Sequence, residues 1–258
     1  MKTKITWTIL LLVITTLAFA SEKEQGNGTM RTQTFYVNQY SKLYLGENIE
    51  YNGKNGTKIF KKRKDHFPTF YYTQTNGNAV LVITIDENLM DLLTVDQQEE
   101  TIYIRAKKGI RINPTKLIIN GKSKQLTYVD IIGCMHFVSE TPLDVEKLKF
   151  NIYGVGDITL DQLSGKELSF DLMGVGNIYL TGKLARGNYQ LSGVGKVKAY
   201  DCQVEDLTCD VSGVGSMEVF ATEKLRASTS GVGSISYKGE AIADTSSSGI
   251  GRIKKAKK

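Results

Sequence analysis

Histidine occurs twice in the 258 residues, cysteine and proline three times each, and tryptophan once. Two histidines leave little material for an imidazole-based catalytic or metal site. His66 and His136 also stand in no H-x-x-x-H spacing. Three cysteines exclude a disulfide-rich scaffold. No G-x-S-x-G is present, so a hydrolase nucleophile elbow is missing. After the first twenty residues no stretch approaches 18 uninterrupted apolar positions, so no transmembrane helix is expected. Apolar residues at 41% and charged residues at 23% exclude wholesale disorder.

Residues 1–20 read as a secretory signal peptide. Lys2 and Lys4 precede an apolar run from Ile9 to Phe19, and Ala18-Phe19-Ala20 supplies a small-residue cleavage site. The expected location is therefore secreted, in the periplasm or on the outer cell surface. Loss of Lys2 and Lys4 lowers the formal charge from +6 to +4. Much of the rest lies in Lys58–Lys64 and Arg252–Lys258, runs that read first as a solvated loop and tail. A secreted chain gives no reason to expect a nucleic-acid partner.

Glycine, at 25 residues, is abundant, and its placement is periodic. Gly-Val-Gly stands at 154–156, 174–176, 193–195, 213–215 and 231–233, and Gly249-Ile250-Gly251 continues it. The first glycine returns at intervals of 20, 19, 20, 18 and 18, with Gly133-Cys134-Met135 as an earlier copy. Alignment on that glycine produces apolar columns. Four residues before it stand Val129, Phe150, Phe170, Tyr189, Cys209, Ala227 and Thr245. Two before it stand Ile131, Ile152, Leu172, Leu191, Val211, Thr229 and Ser247, and four after it Phe137, Ile158, Ile178, Val197, Met217, Ile235 and Ile253. The positions between them are mostly polar. Period-two alternation on both sides of the glycines predicts two short half-buried strands per copy, joined at a bend. The central valine, apolar in each later copy, is expected to point inward at that bend, as is Cys134.

A coil of 18–21 residues with like residues stacked about 4.8 Å apart is a parallel β-helix. The expected fold is all-β: a right-handed solenoid of about seven coils over 129–253, with a basic tail at 254–258. Residues 21–33 are polar and read as a flexible N-terminus. A β-rich part at 34–128 follows, with a basic insertion at 51–66 and strand patterns at 34–37, 42–45, 79–85, 101–106, 117–119 and 126–132. Glu87–Leu93 reads as a short helix or turn.

The run Val80-Leu-Val-Ile-Thr-Ile-Asp-Glu-Asn-Leu-Met, then Thr101-Ile-Tyr-Ile-Arg, then the Gly-x-Gly coils resembles the putative auto-transporter adhesin, head GIN domain family of secreted bacterial proteins. The resemblance covers about Thr34 to Ile253 and departs from the family at the 54–66 insertion and at Cys134. It implies a β-helical envelope or surface protein and carries no catalytic residues.

A stacked fold could set catalytic acids side by side on adjacent coils. A glycosidase needs two carboxyls about 5–9.5 Å apart. Asp157 is followed one coil on by Asn177, Asp171 by Gln190, and Asp210 by Ser228, so no outward column offers adjacent acids. No catalytic, cofactor or metal residues are assigned. Cys134 and Cys209 lie four coils apart, too far to bond; Cys202 and Cys209 either pair across one return or stay as buried thiols. Tyr153, Tyr179 and Tyr200 are the candidate ligand surface, suited to stacking on sugars. The expected function is non-enzymatic and adhesin-like, with a glycan or cell-surface protein as partner. The alternatives are a structural or stress-related envelope protein, and last a polysaccharide-active enzyme.

Overall fold

The computed structural model describes residues 22–51 and 67–256. The leader expected at 1–20, most of the basic insertion expected at 51–66, and the last two lysines lie outside them. The elements are β1 (Glu22–Gln25), β2 (Met30–Tyr36), β3 (Lys42–Glu47), β4 (Thr69–Gln74), β5 (Val80–Asp86), α1 (Glu87–Met90), β6 (Leu93–Gln98), β7 (Thr101–Ala106), β8 (Ile110–Asn113), β9 (Leu117–Ser123) and β10 (Tyr128–Ile131). Then follow β11 (His136–Ser139), β12 (Leu143–Ile152), β13 (Ile158–Leu172), β14 (Val175–Leu191), β15 (Val194–Val211), β16 (Val214–Thr229), β17 (Val232–Lys238), β18 (Ile242–Ser247) and β19 (Ile250–Lys255).

From β10 to β19 every strand pairing is parallel, and like positions of successive copies stand opposite each other. The result is a β-solenoid of about six turns with an N-terminal β portion. Each middle coil is one strand of 15–18 residues wound through a bend, where two short strands were expected. Coil lengths differ, and the excess is absorbed by register shifts away from the glycine corner, as between Ala199 and Gln203.

The inward columns are buried as the alternation requires. Phe150, Phe170, Tyr189 and Cys209 form one file, and Ile158, Ile178, Val197, Met217 and Ile235 another. Phe170 stacks on Tyr189 with centroids 4.5 Å apart, and Phe137 meets Phe150 edge-on at 5.0 Å. Each such side chain contributes about 1.5–3 kcal/mol by leaving water, so the files hold the coils in line.

The glycines solve a different problem. A Cβ on Gly154, Gly174, Gly193 or Gly213 would overlap the carbonyl oxygen of the corner glycine one coil earlier. The second glycines, such as Gly176 and Gly195, face their predecessors the same way. At this corner the Cα–Cβ direction runs along the stack, and only glycine lets the backbones approach to hydrogen-bonding distance.

The central valine corrects the sequence reading. Val155, Val175, Val194, Val214 and Val232 are 43–52% exposed and point outward. They stand at odd positions from the first glycine, the same parity as the outward Asp157 and Thr159. The outward parity carries through the corner, and the even positions between the outward residues are held by the glycines. Cys134, in the same file, is half-buried rather than inward. All three cysteines are free thiols.

The N-terminal part continues the same stack. β3 lies between β7 and β10, parallel to both, and β4 lies between β9 and β11. The chain thus enters the stack one layer in, builds the outer layer later, and resumes on the other side. Antiparallel β6, β5 and β2 close this end. The polar segment after residue 21 carries two strands. β1 pairs with β8, and β2 pairs with β5. The fully buried Asp86 carboxylate accepts hydrogen bonds from Gly28 N at 2.7 Å, Thr115 N at 2.8 Å and Thr115 Oγ1 at 2.7 Å.

Candidate functional site

Two outward surfaces stand apart from the polar remainder. The first is an aromatic wall at the N-terminal end of one face. Register sets Tyr103 opposite Tyr44, Tyr44 opposite Asp130, and Asp130 opposite Asn151. Tyr44 stacks on Tyr103 with centroids 4.9 Å apart, and Tyr128 leans on Tyr44 at 5.7 Å. Arg105 lies over the Tyr103 ring at 5.5 Å. The rings turn towards one another, and all three side chains are half-buried.

Beneath these heads lies a satisfied polar pair. Asp130 is 6% exposed and Asn151 5%. Asn151 Nδ2 donates to Asp130 Oδ1 at 2.8 Å and to the Tyr128 hydroxyl at 2.7 Å. Burial raises the Tyr128 phenol above its ordinary range, and its hydrogen bond to Asp130 and that carboxylate's charge raise it further. Burial and Asp130 act on Tyr44 in the same direction. Tyr153 couples electrostatically to both phenols, so it borders this wall. Tyr44 and Tyr128 therefore hold their protons at neutral pH.

The second surface is the valine ridge. Cys134 stands opposite Val155 and Val155 opposite Val175, and the file continues through Val194, Val214, Val232 and Ile250. Two residues earlier in each coil runs a companion file. It is bulky in the first copies, Ile132, Tyr153 and Met173, and small in the later ones, Ser192, Ser212, Ser230 and Ser248.

Of the three tyrosines singled out by sequence, Tyr153 is 52% exposed beside the wall. Tyr179 and Tyr200 follow the glycine corner and are half-buried, with Lys198 5.5 Å above Tyr179 and Lys238 4.4 Å above Tyr200. The structure does not bring the three together. The wall residues Tyr44, Tyr103 and Tyr128 escaped the sequence reading. A signal existed: Leu43-Tyr44-Leu45 and Ile102-Tyr103-Ile104 share one outward-tyrosine pattern.

The outward carboxylates serve as inter-coil acceptors. Asp157 takes bonds from Asn177 N at 2.7 Å and Asn177 Nδ2 at 3.0 Å, and Asp171 takes one from Ser192 Oγ at 2.9 Å. Asp210 accepts from Ser228. His136 Nδ1 accepts from Asp157 N at 2.7 Å while its ring stacks on Phe67 at 4.0 Å. Among the described residues no three His, Cys, Asp or Glu gather as a metal site would require.

These outward files belong to a β-solenoid, an all-β fold of stacked parallel coils. The profile described as "Putative auto-transporter adhesin, head GIN domain" matches residues 67–241, and the chain belongs to that family. Among solved structures it is similar to a putative adhesin from Bacteroides fragilis, at 24% identity and TM-score 0.74, covering 90% of this chain and 100% of that one. It is also similar to a putative adhesin from Parabacteroides merdae, at 23% identity and TM-score 0.63, covering 92% and 100%. A third similar structure, with 24% identity, TM-score 0.64 and coverage of 92% and 100%, is a putative lipid binding protein from Parabacteroides distasonis. These likenesses establish the shared fold. No curated protein matches the chain. No helix among the described residues is long and apolar enough to cross a membrane.

Proposed function

We propose that this is a non-enzymatic secreted or cell-envelope protein that binds a glycan, free or on a cell surface, through the outer faces of its solenoid. The observation that carries the reading is the wall of Tyr103, Tyr44, Tyr128 and Tyr153 over the Asp130–Asn151 pair. Saccharides present apolar C–H patches between hydroxyls. A rigid surface of tyrosine rings and hydroxyls, held in place by the Asp130–Asn151 pair behind it, matches both. Tyr179 and Tyr200, each capped by a lysine, form a second and smaller contact on the neighbouring face. The leader at 1–20 and the family's adhesin description support an extracytoplasmic location.

A glycan array with the purified chain tests this, followed by titration of hits against Tyr44→Ala and Asp130→Asn. Binding that falls at least tenfold in both variants, with folding retained by circular dichroism, is expected. An array without hits, or hits that both variants keep at full strength, overturns the reading.

A further inference from the structure

The valines play no part in the glycan reading, since they offer no hydrogen bonds to hydroxyls, and only Tyr153 of the companion file is shared with the tyrosine wall. We propose that the valine ridge is a self-association surface, and that two copies of this chain pair through it in antiparallel, two-fold fashion.

Size is the first ground. The ridge and the bulky half of its companion file expose on the order of 700 Å² of largely apolar surface. A lone patch on a monomer is seldom larger than roughly 300–600 Å², and a standard interface takes about 800 Å² from each partner. Period is the second. The rungs recur every ~4.8 Å over six coils. A partner with another spacing loses register after a few rungs, whereas a second copy carries the same spacing by construction.

Shape is the third ground, and it selects the orientation. A two-fold axis across the ridge sets each file against its own reverse. The companion file is large at one end and small at the other. Centring the axis on Ser192 places Met173 against Ser212 of the second copy and Tyr153 against Ser230. Bulky residues thus enter the spaces left by serines, the arrangement that close packing favours. In the valine file the same operation pairs Val175 with Val214 and sets Val194 against itself. A parallel pairing instead crowds Tyr153 against Val155 at one end and leaves the serine end open. Lys196 of each copy then lies near the axis at the rim, so added salt tightens the dimer by screening two like charges.

The test is sedimentation of the intact chain, with cysteine cross-linking to fix the geometry. A concentration-dependent dimer is expected, weakened at least tenfold by Val175→Asp, with an unchanged melting temperature under monomeric conditions. Val194→Cys should form a disulfide-linked dimer with itself under mild oxidation, above the background of the three native thiols. Val155→Cys should do so only when mixed with Val232→Cys. A wild-type chain that stays monomeric at 100 µM and a Val194→Cys that does not cross-link overturn the proposal. Self-linking of Val155→Cys refutes the antiparallel arrangement. A monomer that sediments with phosphatidylcholine vesicles, and loses them on Val175→Asp, assigns the ridge to lipid instead and equally overturns it. Glycan binding is measured on Val175→Asp in parallel, because its survival or loss reports on the tyrosine wall separately.

Discussion

The carbonyl oxygen of Gly154 occupies the space that a Cβ on Gly174 would need. The same relation links Gly174 to Gly193 and Gly193 to Gly213, so the corner is a ladder of backbone-on-backbone contacts. Gly174→Ala must therefore separate two coils or bend one. It should cost about 3 kcal/mol or more, a drop in Tm of roughly 6–12 °C for a chain of this size. Val175→Ala, one residue on and half exposed, should stay within about 0.5 kcal/mol at monomeric concentrations. Thermal melts of the two variants decide it; equal Tm values would remove the ladder as a packing constraint.

Parity gives a second contrast along one coil. Val194 is 49% exposed and Val197 is 0% exposed. Val197→Asp buries an unpaired carboxylate in the core file and should cost several kcal/mol or prevent folding, since a buried charge has neither water nor a partner. Val194→Asp should leave monomer stability within about 0.5 kcal/mol. Denaturant melts below the dimerisation range compare them, and a large loss at Val194 would mean the ridge packs inward.

That pair of valines marks how far the sequence could be read. Column files such as Phe150, Phe170 and Tyr189 are legible because every coil imposes the same two-residue alternation and stacks like on like. Val194 misleads because its apolar character suggests burial, whereas its parity, two residues from outward Lys196, sets it outside. The layer made by β3 and β4 was not legible as part of the stack. Its place between β7 and β10 depends on pairings across about 60 and 85 residues, which no local pattern encodes. The tyrosine wall inherits that difficulty. Tyr44, Tyr103 and Tyr128 meet only once those layers are in order, whereas Tyr153 is visible from its own coil.

The Asp130–Asn151 pair gives a test by unequal costs. Asn151→Leu removes the donor to a buried carboxylate and should destabilise by about 1–3 kcal/mol. Replacing both residues by Leu leaves no orphaned carboxylate, only the half-buried Tyr128 hydroxyl that can turn to water, so the double variant should be more stable than Asn151→Leu alone. A double variant that is the sum of its two single changes would show that the pair is not coupled.

Alkaline pH should unfold the solenoid from within. Burial pushes the Tyr72 phenol from 10.0 up to about 12 and the Cys202 thiol from 9.0 up to about 11. Tyr40, Tyr189 and Cys209 are raised by the same cause. A group whose folded pKa lies above its unfolded value adds stability that is complete below the unfolded value and is lost on the way up to the folded one. Tm should hold level from pH 7 to about 9 and fall between about 9 and 12, each group contributing about 1.4 kcal/mol per pH unit crossed. A Tm that stays flat to pH 11 would contradict the burial of these groups.

The final described coil carries its own protection against unwanted pairing. Every residue of β18 is exposed, and β19 presents Arg252, Lys254 and Lys255 where, among the described residues, its parallel partner β17 lies on one side only. An unpaired edge of N–H and C=O groups recruits further strands, and charge on the edge opposes this. Arg252→Thr together with Lys254→Thr keeps β propensity while removing the repulsion. The variant should keep its Tm yet form thioflavin-positive aggregates faster, with added salt narrowing the difference by screening the wild-type charges. If these lysines and the arginine instead serve docking on anionic surfaces, aggregation stays as in the wild type and salt-sensitive binding to anionic vesicles is lost. A variant that aggregates no faster than the wild type at low salt therefore rejects edge protection, and the vesicle measurement then says whether the charges have a partner.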